Sequence, residues 1–171
     1  KKSQAAQEFT ASLKINPAQK SALLNLAQIR FAENNFSAAA ELFEKALAIA
    51  PETEIARALV VTALHLKDNP RAAEKYRQYA ELTKENAPSP GARAELGAAL
   101  LESGLTAEAV TELEAALAVD AGNVEVLTAL ARAYLPRNDA GPRDQWINAA
   151  MFWTALAGGV LLKGPLIVMI A

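Results

Sequence analysis

Small and apolar residues recur along this chain at a fixed interval of 34 residues. Phe9 and Phe43 are separated by this interval, and so are Ala5, Ala39 and Ala73. The residues between them are compatible with helix, and alanine, which has the highest helix propensity, is abundant. A repeat of this length predicts pairs of helices stacked in an all-α solenoid, because a single pair cannot bury its apolar face alone.

Turn-forming residues divide the pattern into helices. Asn34-Asn35, Asp68-Asn69 and Gly104 are expected within the pairs, because Asn and Gly tolerate left-handed backbone angles. Pro17 and Pro51 are expected to separate one pair from the next. The predicted helices span residues 3–15, 20–33, 37–49, 54–67, 70–84, 91–102, 106–118 and 124–135.

The apolar positions also carry a family resemblance. Between Lys20 and Thr53, the signature positions of the tetratricopeptide repeat (TPR) are matched by Leu23, Leu26, Ala27, Phe36, Ala39, Phe43, Ala46 and Pro51. The third unit resembles the family through Leu96, Gly97, Leu100, Gly104, Ala109, Leu113 and Ala116. The middle unit is interpreted as degenerate, because Arg57 and Arg77 occupy positions that are usually apolar.

This resemblance implies a domain organisation. Residues 1–135 would form the solenoid, with two extra residues inserted in a wider joint at 86–91. Its parts are a half unit at 1–19, full units at 20–53, 54–89 and 90–123, and a further first helix at 124–135. A repeat that begins with its second helix leads us to expect a piece of a longer polypeptide.

Composition excludes several classes of function. There are 17 basic and 19 acidic residues with a net charge of −2, so no electrostatic footprint for nucleic acid is present. The chain has no cysteine, and His65 is its one histidine. We therefore predict no catalytic residues, no metal ligands and no cofactor. The glutamates Glu41, Glu44, Glu112 and Glu114 are expected on solvated helix faces.

The resemblance does imply a binding surface. In the TPR family the first helices of successive units line a concave groove that holds a peptide or helix. The positions that match the groove are Leu24, Asn25, Gln28, Phe31, Ala58, Thr62, His65, Leu66, Ala94, Ala98, Leu101, Glu102, Thr128, Arg132 and Leu135. We expect a protein partner that offers an apolar strip or an amphipathic helix. The alternative is that these residues only pack against a neighbouring helix of the same polypeptide.

The C-terminal region has a different character. After a linker at 136–145, residues 146–171 are mostly apolar and long enough to cross a bilayer, although Lys163-Gly164-Pro165 interrupts them. We predict a transmembrane helical segment here. The alternative is that residues 142–160 form the second helix of the last repeat and cap the solenoid. Residues 152–165 also resemble a transmembrane stretch of lipid-linked sugar transferases of the aminoarabinose and protein-mannosyl type.

These features predict a protein–protein interaction scaffold held at a membrane. Two alternatives remain: a TPR accessory portion of a membrane glycosyltransferase, and a soluble co-chaperone-like module with the tail as its cap. Arg137 and Arg143 precede the apolar segment, which favours repeats on the cytoplasmic side. A bacterial protein exported to the periplasm is the alternative location.

Overall fold

A computed structural model describes residues 2–135, and these residues form eight α-helices and no strand. The predicted all-α solenoid is confirmed for this part of the chain, and every helix end lies within two residues of its predicted position. The helices are α1 (Lys2–Ile15), α2 (Lys20–Ala32), α3 (Phe36–Ile49), α4 (Thr53–His65), α5 (Asn69–Leu82), α6 (Pro90–Glu102), α7 (Thr106–Val119) and α8 (Val124–Tyr134).

Three antiparallel pairs form the body of the solenoid: α2 with α3, α4 with α5, and α6 with α7. Helix α1 packs on α2 from one side, and α8 packs on α7 from the other. Small residues let the helices approach closely, since Ala27, Ala39 and Ala46 are fully buried. At Gly97 the helices leave no room for a side chain, because a Cβ atom there would lie 2.7 Å from Cγ of Leu113. The core therefore runs between the paired helices along the whole array.

Side-chain caps begin the helices where the sequence changes from turn to helix. The side-chain oxygens of Asn35, Asp68, Ser89 and Asn123 each accept a hydrogen bond from the backbone N–H three residues later, at 3.1–3.3 Å. Such a bond satisfies one of the backbone donors that a helix start leaves unpaired.

The turn inside each pair contains one residue with a left-handed backbone. These residues are Asn34 (φ 60°), Lys67 (φ 56°) and Gly104 (φ 85°). The turn at Asp68-Asn69 was therefore predicted one residue too late, because Asp68 is the helix cap and Lys67 makes the left-handed turn.

These three turns also correct the repeat interval. They are separated by 33 and then 37 residues, not by 34 and 36. The two intervals differ because the links between helix pairs differ in length. These links are residues 16–19, 50–52, 83–89 and 120–123. A link of three residues shortens the first interval, and a link of seven lengthens the second.

The interpretation of the middle unit as degenerate was wrong for the same reason. Counted in the corrected register, Ala56, Leu59, Ala72 and Tyr76 occupy its signature positions, and all four are buried. Arg57 is displaced by one residue from the position at which an apolar side chain was expected. The unit therefore keeps buried residues at these four positions, although Tyr79 stands where the other units have alanine.

None of the helices within residues 2–135 is long and apolar enough to span a bilayer. The linker at 136–145, the apolar segment at 146–171, the possible capping helix at 142–160 and the stretch at 152–165 all lie outside the described residues.

Candidate functional site

Three adjoining pockets follow the first helices α2, α4 and α6. The first, of about 190 Å³, is lined by Phe9, Asn25, Gln28, Ile29 and Ala32. The second, of about 230 Å³, is lined by Gln28, Phe31, Phe43, Arg57, Ala58 and Val61. The third, of about 270 Å³, is lined by Val61, Leu64, His65, Ala99, Glu102 and Ser103. Gln28 lines both the first and the second pocket, and Val61 lines both the second and the third. The three pockets therefore adjoin one another, and we call them together the groove.

The middle of the groove is mainly apolar. Its floor is the edge of Phe43, which is only 5% exposed, and its walls are Phe31, Ala58 and Val61. Gln28 is exposed on the wall and can donate and accept hydrogen bonds. This combination can hold apolar side chains and one or two backbone amides of a bound segment.

The one arginine of the groove is already engaged by carboxylates. Arg57 donates from Nε and Nη2 to the Glu54 carboxylate at 3.0 and 2.8 Å, and its Nη1 lies 3.9 Å from the Glu95 carboxylate on α6. Asn25 is likewise turned towards its own helix, because its Nδ2 donates to the carbonyl of Ser21 at 2.9 Å. The arrangement is therefore unsuited to capturing the C-terminal carboxylate of a peptide.

An aromatic cluster closes one side of the groove. The His65 ring stacks on Phe36 with centroids 4.7 Å apart, and Phe31 meets both rings edge-on at 5.0 and 5.1 Å. His65 is exposed, whereas Phe31 and Phe36 are half-buried. The histidine thus extends the apolar wall of the groove at its outer rim.

The structure brings several of the predicted site residues together and separates others. Asn25, Gln28, Phe31, Ala58, His65 and Glu102 line the groove. Leu24, Leu66, Ala94 and Ala98 are half-buried and line none of its pockets, while Leu101 is 8% exposed and belongs to the core. Thr128, Arg132 and Leu135 are exposed on or beside α8, away from the groove pockets.

Thr62 was wrongly predicted as a groove residue. It is fully buried, and its hydroxyl donates to the carbonyl of Ala58 at 2.6 Å. One residue turns an α-helix by about 100°, so counting with the interval of 34 instead of 33 selected Thr62 in place of Val61. Arg57 and Val61 were missed for this reason. The 33-residue spacing of the helix-capping residues Asn35 and Asp68 is a sequence signal consistent with the corrected count.

Glu112 was also predicted wrongly, because it is 2% exposed instead of solvated. Its carboxylate accepts hydrogen bonds from the hydroxyls of Tyr76 (2.9 Å) and Tyr79 (3.2 Å) and from Arg93 (3.1 Å). Burial first, and then the charge of Glu112, raises the pKa of both tyrosines well above its ordinary value, so both hydroxyls stay protonated and donate.

The other three glutamates are at the surface in differing degrees. Glu41 and Glu114 are exposed, and Glu114 accepts a hydrogen bond from the Tyr134 hydroxyl at 2.6 Å. Glu44 is half-buried and pairs with Lys75 at 3.0 Å and Arg71 at 3.1 Å.

The comparisons with known proteins agree with the all-α repeat fold. Residues 3–63 match the family model described as tetratricopeptide repeat. Two crystal structures of MamA superpose with TM-scores of 0.64 at 15% and 14% identity; the match covers 92% and 97% of this chain and 88% and 86% of theirs.

A third crystal structure, of YrrB, is described as that of a TPR protein with an unusual peptide-binding site. It superposes with a TM-score of 0.53 at 16% identity, over 90% of this chain and 84% of its own. No curated protein matches the sequence. At these identities the likeness establishes the fold, which is the TPR solenoid.

Proposed function

We propose that this chain, which matches the tetratricopeptide repeat family over residues 3–63 and has that family's fold, is a protein-interaction scaffold. Its groove would bind an extended or helical segment of a partner protein. The observation that carries the proposal is that the three pockets adjoin at Gln28 and Val61 along the first helices, so that one partner segment could contact all three.

The chemistry of the groove indicates the kind of partner. Phe31, Phe43 and Val61 offer apolar contact, and Arg57 has its charge balanced by Glu54 and Glu95. A strongly charged ligand would gain little binding free energy here. An apolar strip or the apolar face of an amphipathic helix would bind better, because its own apolar surface and that of the groove would both be removed from water. The peptide-binding site named for YrrB supports a peptide or protein as the partner.

Binding can be tested with peptides selected on the wild-type chain from a phage-displayed random library. We expect Val61→Asp to weaken the selected peptides at least about tenfold, because a carboxylate in the apolar middle of the groove would be desolvated without a partner. Ala48→Asp, on an exposed position of α3, is the matched control and should leave binding unchanged.

Amide chemical shifts measured during a titration locate the bound peptide. We expect the changes to centre on Gln28, Val61 and Ala99. Peptides that bind Val61→Asp as tightly as wild type, or shift changes confined to α3, α5 and α7, would contradict a groove function.

The position of this scaffold in the cell is a separate proposal from sequence. Residues 146–171 would hold the solenoid at a membrane, with the repeats on the cytoplasmic side; the support is their apolar composition and the arginines before them. Flotation of the full chain beside a version ending at Asp144 tests this. A full chain that stays soluble after carbonate washing would refute the anchor and favour the soluble module. The glycosyltransferase alternative stays a prediction.

A further inference from the structure

The joint between α5 and α6 is built differently from the other joints of the solenoid. In the corrected register, Ala46, Tyr79 and Ala116 are equivalent positions near the ends of α3, α5 and α7. All three are buried, with exposures of 0%, 0% and 1%. An alanine lets the next first helix approach closely, whereas a tyrosine at the same position fills the space between the two helices.

Polar residues replace apolar ones around Tyr79. Arg93 takes the position that Leu23 and Ala56 occupy in the earlier units, and both of those are buried in the core. Glu112 takes the position of Leu42 in α3. Tyr79, Arg93 and Glu112 therefore depart from the pattern of the first unit, whereas Tyr76 keeps an aromatic ring at the position of Phe43. We call the four residues Tyr76, Tyr79, Arg93 and Glu112 the latch.

The latch joins three helices through a single carboxylate. Tyr76 and Tyr79 on α5 and Arg93 on α6 all donate to Glu112 on α7. Arg93 keeps only 15% of its side chain exposed, and Glu112 keeps 2%. Since a buried carboxylate is tolerated only when its acceptor sites are filled, the three bonds hold one arrangement of these helices.

Backbone packing at this joint is shifted to another helix pair. Helices α5 and α6 hardly approach each other, whereas α3 packs on α4 and α7 packs on α8. The backbone contact that remains at this joint is that of α4 with α6, a contact between first helices that α6 and α8 also make. The core is continuous here, because Val60, Leu64, Leu96 and Leu100 belong to one cluster. The link of seven residues, 83–89, supplies the length that the wider separation of α5 and α6 requires.

Two further polar contacts cross the joint. Asn69 Nδ2 donates to the carbonyl of Ser103 at 2.9 Å, and Arg57 lies 3.9 Å from Glu95. Asn69 and Glu95 are exposed, and so these contacts compete with water, unlike the bonds of the latch.

We propose that the α4–α6 contact is a hinge line and that the latch sets the angle between the two halves of the solenoid. The first half comprises α1–α5 and the second α6–α8. Loss of the latch would free the α5–α6 side to open or close while the apolar α4–α6 contact persists. Because the third pocket of the groove lies between α4 and α6, the same motion would change its width; this last consequence rests on the proposed function.

The absence of cysteine from the sequence makes a direct distance measurement possible. Ser37→Cys on α3 and Ala107→Cys on α7 introduce spin labels at exposed, equivalent positions of the two halves. Double electron–electron resonance on the full chain then reports the distance distribution between them. We expect Glu112→Gln to broaden or shift this distribution relative to wild type. Glu114→Gln, at an exposed glutamate of the same helix, should leave it unchanged.

A second variant protects the test against loss of folding. Tyr76→Phe combined with Tyr79→Phe removes two of the three bonds and keeps the ring volume, so the same broadening is expected while the helical circular dichroism is retained. An unchanged distance distribution in both latch variants, even with a lower melting temperature, would overturn the proposal and leave the latch as a stabilising contact only. Equal broadening in Glu114→Gln would overturn it as well, since the motion would not depend on the latch.

Discussion

Gly97 marks the point at which single atoms decide how closely two helices pack. A Cβ atom at this position would lie 2.7 and 2.9 Å from the side chain of Leu113 and 3.3 Å from the carbonyl oxygen of Ala109. The first two distances are too short, and the oxygen belongs to a rigid helical backbone. Glycine is therefore required for packing, although it has a lower helix propensity than alanine.

We predict that Gly97→Ala lowers the free energy of unfolding by about 1–2 kcal/mol, because the cost of overpacking exceeds the gain in helix propensity. Urea denaturation followed by circular dichroism measures the change. Gly91→Ala is the matched control in the same helix: no atom lies within 4 Å of its Cβ, so stability should stay the same or rise slightly. A stabilised Gly97→Ala protein would show that α6 and α7 can separate without cost.

Glu44 gives a prediction on pH dependence. Burial alone would raise the pKa of its carboxyl group, but hydrogen bonds and charge from Lys75 and Arg71 outweigh it and hold the pKa below the ordinary value of 4.5. A pKa that is lower in the folded state stabilises the protein above about pH 4.5, and this stabilisation is lost as the pH falls through the folded value.

We therefore expect Glu44→Gln to be less stable than wild type at pH 7, by less than about 1 kcal/mol because the pair is partly exposed. The difference should shrink as the pH falls through the lowered pKa of Glu44 in the folded state, because the wild-type carboxyl group then becomes neutral like the glutamine. Glu41→Gln, at an exposed position of the same helix, is the control. A difference between Glu44→Gln and wild type that does not change with pH would exclude the ion pair as its cause.

At the scale of the helices, the links between pairs determine which residues face the groove. The helices of the first and second pairs are equal in length, with 13 and 14 residues in each pair. The links at 50–52 and 83–89 differ by four residues, and they alone change the repeat interval. A change in link length moves every later position along the chain without altering the packing inside a pair.

Lys67 provides the prediction at this scale. It lies in a left-handed turn at φ 56°, where glycine is favoured and a lysine side chain is strained. We expect Lys67→Gly to raise the free energy of unfolding by roughly 0.5–1 kcal/mol, since relief of strain exceeds the entropy that glycine adds to the unfolded chain. Thermal denaturation would measure it. Asn34→Gly should raise the free energy of unfolding by less, because asparagine already tolerates a left-handed backbone. An equal increase at both positions would contradict strain at Lys67.

At the scale of the whole molecule, stability in a solenoid depends on contacts between neighbours only. Helix α1 contributes one buried residue, Ala6, among the side chains that the structure describes. Helix α4 contributes eight and packs against α3, α5 and α6. The centre of the array is therefore better protected than its first helix.

The rates of amide hydrogen exchange should reflect this difference between α1 and α4. We predict that amides of α1 exchange through local opening well before those of α4, and mass spectrometry of the full chain resolves the two. Equal protection of both helices would show that the solenoid opens as a single unit and that neighbour contacts do not limit its stability.

The sequence alone determined the class of fold, the number of described helices and their ends to within two residues. These features depend on local spacing of apolar residues and on turn residues such as Asn34 and Gly104, which act on their own backbone. The resemblance to the tetratricopeptide repeat family added some of the residues that line the groove pockets, including Gln28 and Phe31.

Only the tertiary structure decided the register of the middle pair and the environment of Glu112. A repeat interval averaged over the chain does not show an offset of one residue in a single unit. Such an offset rotates a position by about 100° around the helix axis, so that the buried Thr62 is predicted to face the groove in place of Val61. The residues that donate hydrogen bonds to the buried Glu112 lie 19 to 36 positions away in sequence. Contacts at such separations depend on how helices stack, and local patterns do not carry that information.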